Sequence, residues 1–168
     1  MKRLILMRHA KSSWTDPYAS DHDRPLNGRG KRSADAIGAW MCEKDYIPDE
    51  VLSSDAERTR ETWQRAATAF DAPPTPSWHR ALYLAGTTTM LEHLKKAKHT
   101  TVMMIGHNPG IASFAAGIVK SPPNDPEFSR YPTAATLVCD LDIDNWAQAD
   151  WAKAEFVDFI VPRRLGIN

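Results

Sequence analysis

The chain has 168 residues, 42% hydrophobic and 25% charged, with 21 Lys+Arg against 21 Asp+Glu. That is enough for one domain, expected over 1–168, to bury its own core without disulfides or metal. The zero net charge argues against a nucleic-acid or membrane-surface partner held by bulk charge, and leaves room for a local cationic pocket. Cys42 and Cys139 stand far apart with no CxxC or ligand spacing, so both read as reduced, buried thiols of a cytoplasmic protein. No apolar stretch reaches the length of a membrane span, and a strand almost at the N-terminus leaves no room for a signal peptide.

In chain order, Lys2–Met7 reads as a short buried strand that breaks into Arg8-His9-Ala10-Lys11-Ser12-Ser13. Residues 11–29 form a polar loop, with Pro25, Leu26 and Gly30 as a turn and helix lead-in. Ala34, Ile37, Trp40 and Met41 recur at helical spacing, which predicts a helix from Lys31 to about Lys44. Val51–Ser54 is a second strand, and a helix over 56–70 turns Trp63, Ala66, Ala67 and Phe70 inward. Three prolines in 72–76 mark a loop, and Thr87–Lys98 is another helix. Thr100–Ile105 is the clearest buried strand, running into Gly106-His107-Asn108-Pro109, with a helix over Ile111–Lys120. A proline-rich loop then leads to strands over Ala134–Leu141 and Glu155–Val161. Strands alternating with helices predict an α/β fold: a mostly parallel central sheet with helices on both faces, three layers in one compact domain.

Three strand ends carry polar residues: Arg8-His9, the run Ser53 to Thr62 containing Arg58, and Gly106-His107-Asn108. Parallel strands put such ends on one edge, where an open α/β sheet has its ligand crevice. Two guanidinium groups and two imidazoles, with no carboxylate among them, make a site for a tetrahedral dianion. Neither a Walker lysine loop nor an acidic metal cluster is present, so no metal and no cofactor is expected. Ser12 is a candidate phosphate donor or a loop stabiliser. Arg24 is a candidate substrate ligand, although a pair with Asp21 or Asp23 competes. Asn108 could serve the pocket, but capping of the next helix is favoured. Arg60 and Glu61 read as structural. His22, His79, His93 and His99 match no motif, and Trp14 and Tyr83 read as packing ahead of a substrate mouth.

Taken together, Arg8-His9, Ser53-Ser54-x-Ala56-x-Arg58-Thr59-x-Glu61-Thr62 and Gly106-His107-Asn108-Pro109 resemble the histidine phosphatase (phosphoglycerate mutase-like) superfamily. The form Arg8-His9-Ala10-Lys11-Ser12, the stretch Asp23-Arg24-Pro25-Leu26-x-x-x-Gly30 and the short length are similar to the SixA-type phosphohistidine phosphatases. The resemblance implies that His9 is the phosphorylated nucleophile and that Arg8, Arg58 and His107 form the phosphate pocket. The mutases and many larger members carry a glutamate proton donor, yet His79–Gly86 here has no carboxylate, and Ala10 stands where a glycine is common. An alkyl phosphate needs such an acid for its leaving oxygen; a phosphoramidate needs it much less. The expectation is therefore a metal-independent phosphatase working through a phosphohistidine intermediate on phosphohistidine of a partner protein. The alternatives are a phosphatase of small phosphorylated metabolites, with the acid from Asp16, Asp21, Asp23 or water, and a phospho-ligand-binding module without turnover. A cytoplasmic monomer with no nucleic-acid or membrane partner is expected.

Overall fold

The computed structural model describes residues 1–167. β1 (Lys2–Arg8) is central because Leu4, Ile5, Leu6 and Met7 are all apolar and fully buried, as a strand covered on both faces must be. Around it run β2 (Glu50–Ser54), β3 (Ser77–His79), β4 (Thr101–Gly106), β5 (Thr136–Leu141) and β6 (Ala154–Ile160), in the order β3-β2-β4-β1-β5-β6. β3, β2, β4 and β1 are parallel, β5 is antiparallel to β1, and β6 is antiparallel to β5. The sheet is thus mixed, with five of its six strands pointing one way.

Alternate side chains feed two cores. Leu4, Leu6, Val102 and Met104 face one layer, packed with α3 (Thr87–Leu94), α4 (Gly110–Ile118) and α5 (Pro126–Arg130). Ile5, Met7, Met103 and Ile105 face the other, packed with α1 (Gly28–Glu43) and α2 (Glu57–Ala66) through Ile37, Met41 and Trp63. No helix among the described residues is long and apolar enough to cross a membrane.

Several boundaries differ from the sequence reading. α1 begins at Gly28, not Lys31, because the Asn27 side chain caps it by accepting from the Gly30 amide at 2.8 Å. Gly30 therefore lies within the helix, where the Lys11 backbone occupies the space a Cβ would need, so the loop after β1 packs directly on α1. The helix from Thr87 stops at Leu94 instead of Lys98. The edge strand β3 and the five-residue α5 were not expected from the sequence. Cys139 is buried as expected, but Cys42 is exposed, on the outer side of α1.

Candidate active site

Register decides the geometry of the site. Arg8 pairs with Gly106 across β1 and β4, and Ser53 pairs with Ile105 across β2 and β4. The three polar strand ends are therefore neighbours at one edge. Arg8, His9, Arg58 and His107 line one pocket there, together with Ser12, Arg24, Asn108, Lys11, Trp14, Leu84 and Thr133. The two imidazole rings lie with centroids 5.2 Å apart.

His9 is held on all sides by main chain. Its amide donates to the Gly106 carbonyl, its carbonyl accepts from Ala134, and the next amide, of Ala10, donates to Thr62 Oγ1 at 3.0 Å. Nδ1 lies 2.7 Å from the Ala10 carbonyl. A carbonyl only accepts, so Nδ1 carries the proton and Nε2 keeps its lone pair. Burial pushes the His9 pKa well below its ordinary value, with His107 and the two arginines adding to the effect. The imidazole is consequently neutral at neutral pH.

His107 Nε2 lies 2.7 Å from Ser54 Oγ, an oxygen that accepts from the Ala56 amide at 3.2 Å. Burial, and then the charge of Arg58, bring the His107 pKa down to about 3. Arg58 spends Nη1 on the Asp21 carbonyl at 2.6 Å and Nη2 on the Asp21 carboxylate at 3.0 Å. Arg8 spends Nη1 on the Tyr131 carbonyl at 3.2 Å, and its pKa is lowered by burial and by Arg58.

Among the described residues the buried side-chain atoms left without a partner are Arg8 Nε, Arg58 Nε, His107 Nδ1 and Asn108 Oδ1. Native interiors seldom leave buried polar atoms unpaired, because each costs about 1–3 kcal/mol. Here all four belong to residues of one pocket, which is the signature of a site built for a polar ligand. Three of these residues are cations or hydrogen-bond donors of the kind an anion needs.

The family model for the histidine phosphatase superfamily (branch 1) matches residues 4–79, the stretch that contains Arg8, His9 and Arg58. The chain belongs to the histidine phosphatase superfamily. An uncharacterised protein of Mycobacterium tuberculosis is 34% identical over 164 residues, 94% of this chain and 100% of the relative. The provisionally assigned phosphohistidine phosphatase SixA from Agrobacterium tumefaciens superposes with a TM-score of 0.78 at 28% identity, over 96% of this chain and 98% of that one. A similarly assigned SixA structure from Nakamurella multipartitia gives a TM-score of 0.77 at 26% identity, with 96% of both chains covered.

Other positions in this histidine phosphatase depart from the sequence reading. Asn108 does not cap α4: Pro109 occupies the cap position, and no side chain caps the helix. Instead Asn108 Nδ2 donates to the Arg130 and Tyr131 carbonyls, both at 3.1 Å, which turns Oδ1 toward the pocket. Arg24 makes the expected pair with Asp21 at 2.8 Å, makes none with Asp23, and also lines the pocket while donating to Ser12 Oγ. Ser12 is thereby both a loop contact and a pocket residue. Trp14 is not packed inside; it is 73% exposed on the pocket rim, with the Arg24 guanidinium 3.3 Å from its ring centre. Tyr83 packs near-perpendicular to the His107 ring, centroids 5.4 Å apart, and donates its hydroxyl to Asp21.

Asp21, one of the three aspartates the sequence offers as an acid, stands behind the pocket arginines. Asp21 accepts from Tyr83, Arg58 and Arg24, and these contacts, the Tyr83 hydrogen bond foremost, hold its pKa below the ordinary carboxylate value. In the stretch without a carboxylate, Leu84 reaches the pocket wall with a left-handed backbone, φ 52°. Arg60 bonds the Asp55 carbonyl, Glu61 accepts from the Leu26 amide, and His22 pairs with Asp55 at 2.7 Å, all away from the pocket lining. Ser54, Thr62 and Tyr131 are supporting residues that the sequence reading did not single out. Ser54 and Thr62 do fall within the quoted motif, which was the available signal; Tyr131 gives none.

Proposed function

We propose that this protein is a metal-independent phosphatase that passes the phosphoryl group through His9, with phosphohistidine on a partner protein as its substrate. The observation that carries the reading is the His9 tautomer: a neutral, buried imidazole fixed by the Ala10 carbonyl, with Nε2 left as a lone pair beside Arg8 and His107. In the first step Nε2 attacks phosphorus, and the bond from phosphorus to the leaving nitrogen breaks. A substrate phosphohistidine leaves as a neutral imidazole if its other ring nitrogen already bears a proton, so no enzyme acid is needed. Water then attacks phospho-His9, the Nε2–P bond breaks, and inorganic phosphate departs.

Arg8 Nε, Arg58 Nε and His107 Nδ1 are suited to the equatorial phosphoryl oxygens, where charge must be stabilised in transfer. Fixed cations supply there what a metal ion supplies elsewhere. Asn108 Oδ1, the acceptor of the set, suits a hydrogen-bearing group such as the attacking water or the leaving N–H. Two points favour phosphohistidine over an alkyl phosphate. Asp21, the one carboxylate among the described residues bonded to a pocket arginine, is held ionised and so is a poor proton donor. The rim beside it is Trp14 and Leu84, exposed by 73% and 54%, an open apolar edge on which a protein surface can rest.

The test is a panel without added metal: a phosphohistidine protein, p-nitrophenyl phosphate and a sugar phosphate, on wild type and on His9→Ala. Turnover is expected to be fastest on phosphohistidine, poor on the aryl ester and near background on the sugar. Rapid quench should trap an acid-labile, base-stable phosphoenzyme. His9→Ala should lose several orders of magnitude, and retention of more than about a tenth of the rate would falsify the assignment. Equal kcat/KM on the sugar phosphate and the phosphoprotein would favour the small-metabolite reading instead. Binding of phosphate without turnover of any of the three would favour a binding module.

A further inference from the structure

We propose a second anion-binding subsite beside the phosphoryl pocket: the cleft lined by Arg29, Arg130 and Arg163, which takes an acidic group of the same substrate. The proposal rests on the phosphatase reading and refines its substrate class. Arg29 lies in the first turn of α1, Arg130 ends α5 and Arg163 follows β6, so three separate elements bring cations to one cleft. Thr133 lines both this cleft and the pocket of Arg8 and His9. The two sites therefore share a wall, and one extended ligand can occupy both.

Charge and shape agree on the ligand. Among the described residues the only carboxylate lining the cleft is Glu127, whose side chain is just 10% exposed. Its Oε1 lies 3.2 Å from Arg130 Nη1 and 3.7 Å from Arg163 Nη2. One buried oxygen thus steadies two guanidinium groups whose side chains remain 74% and 66% exposed. Among the described residues Arg29 makes no ion pair. Three cations against one anion leave a net positive cleft in a chain whose Lys+Arg and Asp+Glu are equal at 21. Guanidinium forks recognise carboxylate and phosphate oxygens in the same planar geometry. The ligand is therefore an anionic oxygen group, supplied by Asp or Glu flanking the phosphorylated residue of a protein, or by a second phosphate on a small molecule.

The double variant Arg29→Ala/Arg163→Ala tests this, because both side chains are exposed and Glu127 keeps Arg130. Its probes are p-nitrophenyl phosphate, which carries one anionic group, and a phosphohistidine protein with acidic flanks beside a version with Asn and Gln there. The fourth is a sugar bisphosphate used as a competitive inhibitor. The aryl phosphate should be turned over within about twofold of wild type, while kcat/KM on the acid-flanked protein falls about tenfold, as expected for two lost exposed ion pairs. Its salt dependence should flatten as well, and the neutral-flanked protein should lose little. A tenfold weaker bisphosphate inhibition with an unchanged phosphoprotein rate would keep the subsite and make its ligand a second phosphate. No change on any probe, or an equal loss on the aryl phosphate and the acid-flanked protein, would overturn the subsite. If wild type turned over none of the substrates, the phosphatase reading would fail separately. The subsite would then be judged by calorimetry of the bisphosphate with wild type and variant, equal affinities rejecting it.

Discussion

The Ser54 hydroxyl lies against Nε2 of His107, and Nδ1 of the same ring has no protein partner. The Ser54 oxygen accepts from the Ala56 amide and lies 2.7 Å from His107 Nε2, the acceptor to which its own proton can go. A hydroxyl that donates to Nε2 requires the proton of the neutral imidazole to sit on Nδ1, the buried atom with no protein partner. With Ser54 donating, the run from Ala56 through Ser54 to His107 presents an N–H to a phosphoryl oxygen, the arrangement the phosphatase reading requires.

Ser54→Ala should therefore lower kcat/KM about tenfold, the cost of one misdirected buried hydrogen bond, while the fold persists. Ser54→Thr, which keeps the hydroxyl, should recover most of it. Nitrogen-15 NMR of the His107 ring separates this from general loosening. The wild type should show Nδ1 protonated and Ser54→Ala a mixture of tautomers, whereas an unchanged tautomer in the alanine variant would reject the role.

Arg58→Lys preserves charge and should still fall about 10²-fold in kcat/KM, the usual scale for one lost oxyanion donor. The arginine grips Asp21 with Nη1 and Nη2 while Nε stays free for the ligand. A lysine ammonium is a single point and cannot do both at once. Competitive inhibition by vanadate or phosphate should weaken in parallel. Inhibition at wild-type strength would mean that Arg58 holds Asp21 and nothing else.

Sequence alone makes the two central strands legible, since Leu4–Met7 and Val102–Ile105 are apolar runs that end abruptly in Arg8-His9 and Gly106-His107. Parallel topology then places those ends together. Hidden from it are features that depend on residues distant in the chain. β3 is three residues long and partly exposed, and it gains its identity only by pairing with β2. Asn108 has the look of a helix cap, but the Arg130 and Tyr131 carbonyls, more than twenty residues on, compete successfully for its amide. Asp21 sits in a polar loop among other aspartates, and only the folded positions of Arg58 and Tyr83 separate it from Asp16 and Asp23.

That separation predicts how Asp21→Asn should behave. A general acid at Asp21 would be needed for alkyl phosphates and dispensable for phosphohistidine. A carboxylate held ionised by Tyr83, Arg58 and Arg24 instead orients the arginines. The variant should lose about tenfold on every substrate alike, in line with one charge-assisted hydrogen bond, and Asp16→Asn and Asp23→Asn should lose little. A loss confined to alkyl phosphates would restore Asp21 as the acid.

The same buried imidazoles set a dependence of stability on pH. His107 titrates at about 3 when folded, and His9 is displaced in the same direction. An exposed imidazole in the unfolded chain takes its proton near 6.5. Below that pH the unfolded state binds more protons than the folded one, so stability falls as pH falls, until the folded pKa is reached. Between pH 7 and pH 5 His107 should cost about 2 kcal/mol of unfolding free energy, measured by urea titration, and His9 should add a loss of the same sign. His107→Gln should weaken that dependence and leave the part due to His9. Saturating phosphate or tungstate should flatten it further, because a bound anion raises the imidazole pKa values and favours the protonated folded state. A urea midpoint constant from pH 7 to pH 5 in the ligand-free protein would show that these rings are not held neutral, and the nucleophile derived from that state would have to be abandoned.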